Sequence, residues 1–472
     1  MLTGIKFKAN PTPSQKLVLS QWMGCARLIW NAKVQEERYH TTFARKYCKI
    51  GTYAKIDATT KQFKSKELTP WLFECPSQII RNSASNWFKT YHNFMKGSCG
   101  KPKQKKKSAN GSIYLTRELF RFEKCTDGNL RLFIGQKKNN IGYLSFKKHS
   151  KFEIPNSLYL KRECGKYYLS FCYDNGQDEA KLLTNAEHFK VFKDSSREYL
   201  EENVVGIDRG VAIPVQAGSQ SYDFSRNQKK NMAESEKTIT RLQRQMTRQE
   251  PCSNRRSKTK QKIGNCHAKI ANIRNDFAHK TSRDLADSQS KIIVFESLKT
   301  SNMVRKPKAK QDEKGRYIPN KAKQKSGLNK AILNVGWYKI EAYTIYKAYK
   351  AGKAVFKISA YNTSQECAKC GYTHPDNRQT QDLFVCGKCR HADNADRNAS
   401  LVIAKRAINL ILYTGTVLSD RNILVKGSDI GRGGNCQTSR AKSSASKLQR
   451  SVKKEKIAAT AYIFEAQSFM AE

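Results

Sequence analysis

The stretch that decides the fold runs from residue 363 to residue 400 and reads TSQECAKCGYTHPDNRQTQDLFVCGKCRHADNADRNAS. It holds two Cys-x-x-Cys pairs separated by fifteen residues. This spacing lets four thiolates surround one Zn²⁺ ion, with a short β-hairpin between the pairs in which Phe384 and Val385 form the apolar strand. Chance placement or disulfides are the alternatives. We predict a zinc ribbon over residues 363–391, whose ligands are Cys367, Cys370, Cys386 and Cys389.

Asp396 follows the last cysteine by seven residues. It precedes a run, LVIAKRAINLILY, whose apolar residues recur at helical spacing. Because a ribbon is rigid, it fixes where this helix starts and presents Asp396 at the helix N-terminus. A simpler interpretation is that this carboxylate only satisfies the backbone and the helix dipole. The choice between them depends on whether other carboxylates occupy matching positions.

The charge of the chain is extreme: 88 Lys and Arg against 40 Asp and Glu give a net charge of +48 over 472 residues. Such self-repulsion calls for a polyanion, and nucleic acid is the obvious one, with an anionic membrane surface as competitor. No apolar run approaches the roughly twenty residues of a spanning helix, and the start lacks a signal-peptide core. The ten cysteines outside the ribbon are scattered singly, as in proteins of a reducing compartment. We therefore expect a cytoplasmic, nucleoid-associated protein that does not enter membranes.

The first part of the chain shows two kinds of pattern. Residues 4–9 alternate apolar and basic side chains, as in an edge strand, and residues 13–109 contain two stretches with helical apolar spacing. Short alternating stretches separated by turn residues at 111–174 favour a small antiparallel barrel. We therefore predict a β-barrel over residues 1–180 with a helical insert at about 13–109, and a polar linker at 181–203.

A basic loop follows the second helical stretch. Runs of charge are often only solvated linkers, but the whole chain is basic here, so we favour contact with nucleic-acid phosphates. The candidate side chains are Lys101, Lys103, Lys105, Lys106 and Lys107.

Two further carboxylates occupy unusual positions. Asp208 interrupts the apolar stretch NVVGIDRGVAIPV, where a buried acid is costly unless it is paired or bound to a cation. Glu296 ends the run KIIVFE, whose β-branched residues without alternation favour a buried, parallel strand. Sites gather at the carboxyl ends of such strands. Together with Asp396, they make three acids at a strand, a strand end and a helix start.

Two segments surround these positions. Residues 231–290 predict two long polar helices with a thin apolar seam, a hairpin inserted into the second domain that serves either as structure or as a nucleic-acid lid. Residues 413–472 are a Gly-, Ser- and Lys-rich basic tail for which we predict disorder.

Three carboxylates in one cleft would repel one another, and divalent cations would reverse that repulsion. Hard oxygen ligands suit Mg²⁺, and two such ions about 4 Å apart promote in-line displacement at phosphorus. A basic protein supplies the phosphodiester, so the residues favour metal-dependent hydrolysis of nucleic acid. The chain contains no Walker loop, and its eight histidines do not cluster.

The chain resembles the TnpB family of transposon-associated nucleases, which are related to the type V CRISPR effectors. The resemblance covers residues 4–412, and its motifs are collinear. One departure is Ser297, where the family usually has an acid. The motifs are FKANPTPSQ, CARLIWN, GKYYLSFCYD, VVGIDRGVAIPV, IANIRNDFAHKTS, IIVFESLKTSNM, LNKAILNVGWYKI, TSQECAKCGY and DRNAS.

This resemblance implies an α/β protein that acts as an RNA-guided DNA endonuclease. Residues 1–180 would be a wedge barrel with a helical recognition insert, and residues 204–412 an RNase H-like, RuvC-type domain with the zinc ribbon inserted. Asp208, Glu296 and Asp396 would bind two catalytic Mg²⁺ ions, and the four cysteines Zn²⁺. The partners would be a guide RNA and target DNA, with one monomer per guide. The alternatives are a nuclease-inactive RNA-guided DNA-binding regulator and, with no supporting signature, a strand-joining transposase.

Overall fold

A computed structural model describes residues 1–49, 56–107, 110–124 and 130–426. These residues fold as two compact units. The N-terminal unit comprises residues 1–177 and 249–265, and the C-terminal unit comprises residues 178–248 and 266–426. None of the helices in the described ranges is both long and apolar enough to cross a membrane.

The N-terminal unit is built on one antiparallel sheet of seven strands. These are β1 (Leu2–Ala9), β2 (Gly111–Thr116), β3 (Phe120–Lys124), β4 (Leu130–Gly135), β5 (Asn140–Lys147), β6 (Ser157–Glu163) and β7 (Lys166–Asp174). Their order is β2–β6–β7–β1–β5–β4–β3. The helices α1 (Pro13–Tyr39), α2 (Arg45–Tyr47) and α3 (Ser77–Met95) lie between β1 and β2 in the chain, within the predicted helical insert.

The prediction of an edge strand at residues 4–9 is wrong, because β1 lies between β7 and β5. Its alternating lysines lie on one face of a strand that is paired on both sides, so they do not mark an unpaired edge. Lys6 pairs with Glu163 at 2.9 Å, and its ammonium lies 4.3 Å from the centre of the Tyr168 ring. The other face buries Phe7, which packs with the helices in the core of this unit.

The C-terminal unit contains a five-stranded mixed sheet. Its strands are β8 (Val204–Asp208), β9 (Val215–Ala217), β10 (Gln220–Tyr222), β11 (Ile292–Glu296) and β14 (Ala354–Ile358), in the order β10–β9–β8–β11–β14. Strand β11 runs parallel to both β8 and β14, which confirms the predicted parallel strand, and all five of its residues are buried. Strands β9 and β10 are antiparallel to their neighbours.

The remaining elements connect and cover this sheet. Their bounds are α4 (Asn185–Lys193), α5 (Arg197–Asn203), α6 (Arg226–Thr247), α7 (Asn254–Asp287), α8 (Thr300–Met303), β12 (Lys310–Gln311), β13 (Tyr317–Ile318), α9 (Ala322–Val335), α10 (Trp337–Lys350), β15 (Leu383–Val385), β16 (Ala392–Asn394), α11 (Ala395–Leu412), β17 (Thr416–Leu418) and β18 (Leu424–Lys426).

The prediction of a linker at residues 181–203 is wrong. Helices α4 and α5 fill most of this segment and bury Phe189, Phe192 and Leu200 in the core beneath the sheet. The polar composition concealed a capping box, in which Thr184 and Glu187 exchange hydrogen bonds at the start of α4. Few apolar residues suffice here because the helices are short and bury one side only.

Two further boundaries differ from prediction. The hairpin of α6 and α7 exists, but residues 249–265, at its turn, belong to the N-terminal unit and not to the second domain. The first residues of the predicted disordered tail are ordered, since β17 and β18 pair and Leu424 is buried against the sheet core. The rest of that tail, residues 427–472, lies outside the described residues.

Candidate metal centres

Two of the three candidate acids end neighbouring parallel strands. Asp208 is the last residue of β8 and Glu296 the last residue of β11, and the register pairs Ile207 with Phe295 directly before them. Since neighbouring strands lie about 4.8 Å apart, both carboxylates leave the sheet side by side at the same edge.

The third acid is brought to this edge by helix α11. Gly206 allows the approach: a Cβ atom there would lie 2.2 Å from the carbonyl oxygen of Ser400. The hydroxyl of Ser400 donates a hydrogen bond to the Gly206 carbonyl at 2.7 Å, which fixes the helix on β8. Asp396, in the first turn of α11, is 7 % exposed and therefore lies in this buried environment.

The simpler interpretation of Asp396 as a helix cap does not fit its contacts. The side chain of Asn394 caps α11, accepting hydrogen bonds from the backbone N–H groups of Asp396 (3.0 Å) and Arg397 (3.1 Å). The carboxylate of Asp396 instead accepts a hydrogen bond from the Arg378 guanidinium at 2.9 Å. The side chain is therefore held by a cation and not by the backbone of the helix.

Electrostatics show that the three acids lie close enough to interact. Burial, followed by the charges of Glu296 and Asp396, raises the pKa of Asp208 to about 7. Burial also raises the pKa of Glu296, against the hydrogen bond from Thr363 and the positive charge of Arg209. Burial and mutual repulsion therefore make the ionised forms of Asp208 and Glu296 costly without a cation. Carboxylate oxygens in such an environment are hard ligands of the kind that fits Mg²⁺.

Sequence reasoning missed the side chains that hold these acids. The Thr363 hydroxyl donates to the carboxylate of Glu296, and Arg378 holds Asp396, so the ribbon segment contributes a partner to each of two acids. Arg209 donates to the backbone carbonyl of Glu296. A signal was present, since Arg209 adjoins Asp208 and Arg378 stands between the two cysteine pairs, but spacing alone does not show which side chains turn inward.

The four cysteines form a compact cluster whose sulfur atoms all lie within 4.8 Å of one another. Two of the separations are 3.7 Å, between Cys367 and Cys389, and 3.6 Å, between Cys370 and Cys386. A tetrahedron of sulfurs about 2.3 Å from a central Zn²⁺ has edges close to these lengths. Although burial opposes it, hydrogen bonds from the backbone of Cys389 and Lys388 lower the pKa of Cys386 to about 6, which favours the thiolate. The donor set therefore fits zinc.

The strand pairing of the ribbon differs in part from expectation. Phe384 and Val385 do lie in a strand, β15, which pairs with β16 after the last cysteine, and an isolated antiparallel bridge also joins Phe384 to Arg378 between the cysteine pairs. That segment is further held by the buried side chain of Asn377, which donates to the carbonyls of Gln365 (2.9 Å) and Tyr372 (3.1 Å). Asn377 also accepts a hydrogen bond from the N–H of Gly387 at 3.0 Å, so one amide joins both halves of the ribbon.

The ribbon is attached to the helix that carries Asp396. Asn398, on α11, accepts a hydrogen bond from the N–H of Ala368 at 3.0 Å and donates to the carbonyl of Glu366 at 2.7 Å. Both partners flank Cys367. The metal-binding loop and the start of α11 are thus held in one arrangement.

The basic loop packs on helix α1 instead of standing free. Lys101 forms an ion pair with Glu37 at 3.0 Å, and the Lys105 ammonium lies 3.6 Å from the centre of the Trp30 ring. Partial desolvation beside this ring lowers the pKa of Lys105 to about 8. Two of the five predicted phosphate contacts, Lys101 and Lys105, are therefore engaged within the protein. All five lysines are nevertheless exposed.

Three family models match the chain. One, described as "Cas12f1-like, TNB domain", matches residues 337–403, which include the ribbon. Another, described as "Probable transposase" (OrfB_IS605), matches residues 171–306, and a third, described as "Helix-turn-helix domain" (HTH_OrfB_IS605), matches residues 1–41.

Relatives of similar length match most of the chain. "Putative RNA-guided DNA endonuclease InsQ" of Escherichia coli (strain K12) is 28% identical over 405 residues, which cover 84% of this chain and 90% of the relative. "Putative RNA-guided DNA endonuclease" of Streptomyces pristinaespiralis is 22% identical over 370 residues, 78% of this chain and 80% of the relative. A solved Cas12f1–sgRNA–target DNA complex is 12% identical with a TM-score of 0.49, covering 86% of this chain and 98% of that chain. The family models and these two relatives show that the chain is similar to the OrfB_IS605 transposases and to proteins named RNA-guided DNA endonucleases, as its sequence motifs indicate.

Proposed function

We propose that the chain is an RNA-guided DNA endonuclease that hydrolyses phosphodiester bonds at the site formed by Asp208, Glu296 and Asp396. The observation that supports this proposal is that Asp208 and Glu296 end neighbouring parallel strands and that the charges of Glu296 and Asp396 help to raise the pKa of Asp208, although the three acids span 188 positions of the sequence. The names of the relatives, RNA-guided DNA endonucleases, support the same activity.

We further infer that residues 204–412 form an RNase H-like domain of the RuvC type. The sheet order β10–β9–β8–β11–β14, with β8, β11 and β14 parallel and β9 and β10 antiparallel, supports this assignment. Helix α11 covers β8 and brings in the third acid. The N-terminal sheet and its helices, residues 1–177, would be the wedge and recognition parts that hold guide RNA and flanking DNA.

The chemistry follows from the donor set. Two Mg²⁺ ions bound by the three carboxylates would activate the attacking water and stabilise the leaving 3′ oxygen. Asp208 and Glu296, fixed by adjacent strands, would hold their oxygens at a constant separation. Arg378 would restrain the carboxylate of Asp396, and Thr363 that of Glu296, before any cation arrives. The sequence-wide excess of positive charge would bring in the phosphodiester backbone.

Zinc at the four cysteines would have a structural part in this proposal. Its ligands are Cys367, Cys370, Cys386 and Cys389, and the loop that they close carries Arg378. We assign nucleic-acid contact to Lys103, Lys106 and Lys107 and retain Lys101 and Lys105 only as candidates, because these two are engaged within the protein.

The test is cleavage by the protein expressed with its native flanking DNA. RNA that copurifies is sequenced, and DNA matching its guide segment is offered with and without Mg²⁺. We expect Mg²⁺-dependent cleavage that Asp208→Ala abolishes while RNA and DNA binding persist. The matched control is Asp312→Ala, which removes an exposed acid of the same unit.

Two outcomes would contradict the proposal. Guided binding without cleavage by the wild type would identify a nuclease-inactive DNA-binding regulator. Cleavage that survives Asp208→Ala would place the chemistry at another site.

A further inference from the structure

Arg209 is a buried cation next to the three candidate acids, Asp208, Glu296 and Asp396, which are called the acid edge below. Its side chain is 3 % exposed, and it follows Asp208 in the chain. One guanidinium nitrogen donates to the backbone carbonyl of Glu296, and another donates to the Glu341 carboxylate at 2.6 Å. The group also lies 5.3 Å from the centre of the Phe295 ring. A single side chain therefore connects the ends of two strands that carry acids.

The backbone explains why a donor is needed at this point. The pairing of β8 with β11 ends at Ile207 and Phe295, so no strand N–H of β8 reaches the Glu296 carbonyl. Arg209 supplies that donor from its side chain, beside the local N–H of Leu298 at 3.0 Å. The carbonyl that is fixed belongs to the same residue whose carboxylate joins the acid cluster. A shift of this peptide would move the Glu296 carboxylate directly.

The other side of Arg209 is anchored by two elements. Glu341 lies on α10, and its second oxygen pairs with Lys357 of β14, so the cluster joins β8, α10 and β14. The cations Arg209 and Lys357 and the anion Glu341 together carry one net positive charge, which lies next to the three acids. In addition, the Trp337 indole donates to the Gly210 carbonyl at 3.1 Å, which fixes the chain directly after Arg209.

Stability alone does not account for this arrangement. Buried ion pairs often contribute no more than apolar side chains of similar volume, so a hydrophobic residue at 209 would serve the core equally well. An apolar side chain could not donate to the Glu296 carbonyl or balance the acids. What the arginine adds is therefore orientation and charge at the acid edge.

Resting on the proposed function, we propose that Arg209, anchored by Glu341, is a positioning residue that sets the Glu296 carboxylate for divalent cations. It touches neither the substrate nor the reacting atoms. Its effect is exerted through the peptide of Glu296 and through the positive charge it places behind the acids. Loss of Arg209 should therefore weaken metal binding more than it weakens folding.

The experiment measures Mn²⁺ binding to the full-length RNA-bound protein by titration calorimetry. The Asp208→Ala variant is the baseline that subtracts Mn²⁺ bound by RNA and by other sites. Arg209→Met removes the donor and charge at similar length, and Arg209→Lys keeps the charge. Arg274→Met is the matched control, since Arg274 is a partly buried arginine of the same unit that contacts Asn334.

We expect Arg209→Met to raise the Mn²⁺ dissociation constant by about 10- to 100-fold, the range found for side chains that orient metal ligands. Arg209→Lys should recover part of the loss, and cleavage by Arg209→Met should recover in part at high Mn²⁺. Arg274→Met should lower the melting temperature comparably and leave Mn²⁺ affinity within a factor of about three.

Unchanged Mn²⁺ affinity in folded Arg209→Met would overturn the inference and leave Arg209 a core residue. If Arg209→Met does not fold, the Mn²⁺ affinity of Arg209→Lys tests the inference, because a lysine lacks the two guanidinium nitrogens that reach both Glu296 and Glu341. Equal Mn²⁺ binding by wild type and Asp208→Ala would overturn the proposed function itself, and this inference with it. The two failures are therefore distinguishable.

Discussion

The zinc ribbon and the acid edge are two candidate metal centres of opposite construction. The four cysteines lie within 23 residues of sequence, and backbone turns of the same segment bring their sulfurs together. The three acids lie 88 and 100 residues apart in succession, and a strand register and a helix packed on a glycine bring them together. The first centre is local in sequence, and the second depends on the whole C-terminal unit.

The contacts between the two show that the ribbon, which is local in sequence, holds side chains of the acid edge in place. The ribbon segment contributes Thr363 to Glu296 and Arg378 to Asp396, and Asn398 joins the ribbon to α11. Support in the other direction comes from Asn398, in the body of α11, which binds the residues on both sides of Cys367. We therefore expect damage at the ribbon to affect the acid edge, and damage at the acid edge to spare the ribbon.

Removal of a zinc ligand should have the largest effect. Cys386→Ser should lose the bound zinc and lower guided cleavage by about 10- to 100-fold, because Thr363 and Arg378 lose the frame that aims them. Zinc content is measured by elemental mass spectrometry and cleavage at saturating Mg²⁺. Cys252→Ser, at an exposed cysteine, is the control. Full cleavage by a zinc-free protein would show that the acid edge does not depend on the ribbon.

A change at the acid edge should act through pH and leave zinc content unchanged. The pKa of Asp208 is about 7 in the folded protein against an ordinary value of 3.8. A raised pKa favours folding below about pH 4, and this stability is lost as pH rises through 7, because the folded state must then bury the ionised carboxylate. Asp208→Asn, which does not titrate, should therefore stabilise the Mg²⁺-free protein at pH 8 relative to pH 4.5.

The expected gain is about 2 kcal/mol in the free energy of unfolding, from roughly 1.4 kcal/mol per pKa unit reduced for partial solvent exposure. It is measured by urea unfolding of both proteins at the two pH values, so that the large net charge cancels in the difference. Added Mg²⁺ should reduce the difference in unfolding free energy between Asp208→Asn and the wild type at pH 8, because it stabilises the wild type. An equal effect of the substitution at both pH values would show that neither burial nor the neighbouring acids raise the pKa of Asp208 in the folded protein.

The smallest effect is expected at the join between the two centres. Asn394 ends β16, which pairs with the ribbon strand β15, and caps α11, so Asn394→Ala should cost about 1 kcal/mol of stability. Cleavage should fall several-fold, since the first turn of α11 carries Asp396. Asn394→Ser keeps a capping oxygen and should retain most of both. Loss of stability with unchanged cleavage would show that the helix start does not set the position of Asp396.

The same contrast explains what the sequence could predict. The ribbon cysteines and the three acids could be predicted because residue type, spacing and strand or helix patterns are local properties. The strand register, the inward turn of Arg209 and Arg378, and the place of β1 inside the sheet depend on contacts between distant segments. Helices α4 and α5 were missed for a related reason, since only three apolar side chains in a polar segment face the core.

The most direct measurement of the central claim is the position of Mn²⁺ ions in crystals of the RNA-bound protein, located by anomalous scattering. We predict ions bound by oxygens of Asp208, Glu296 and Asp396 at about 2.1 Å, at the edge where β8 and β11 end. Mn²⁺ bound elsewhere, with any of these three carboxylates pointing away from it, would contradict the account.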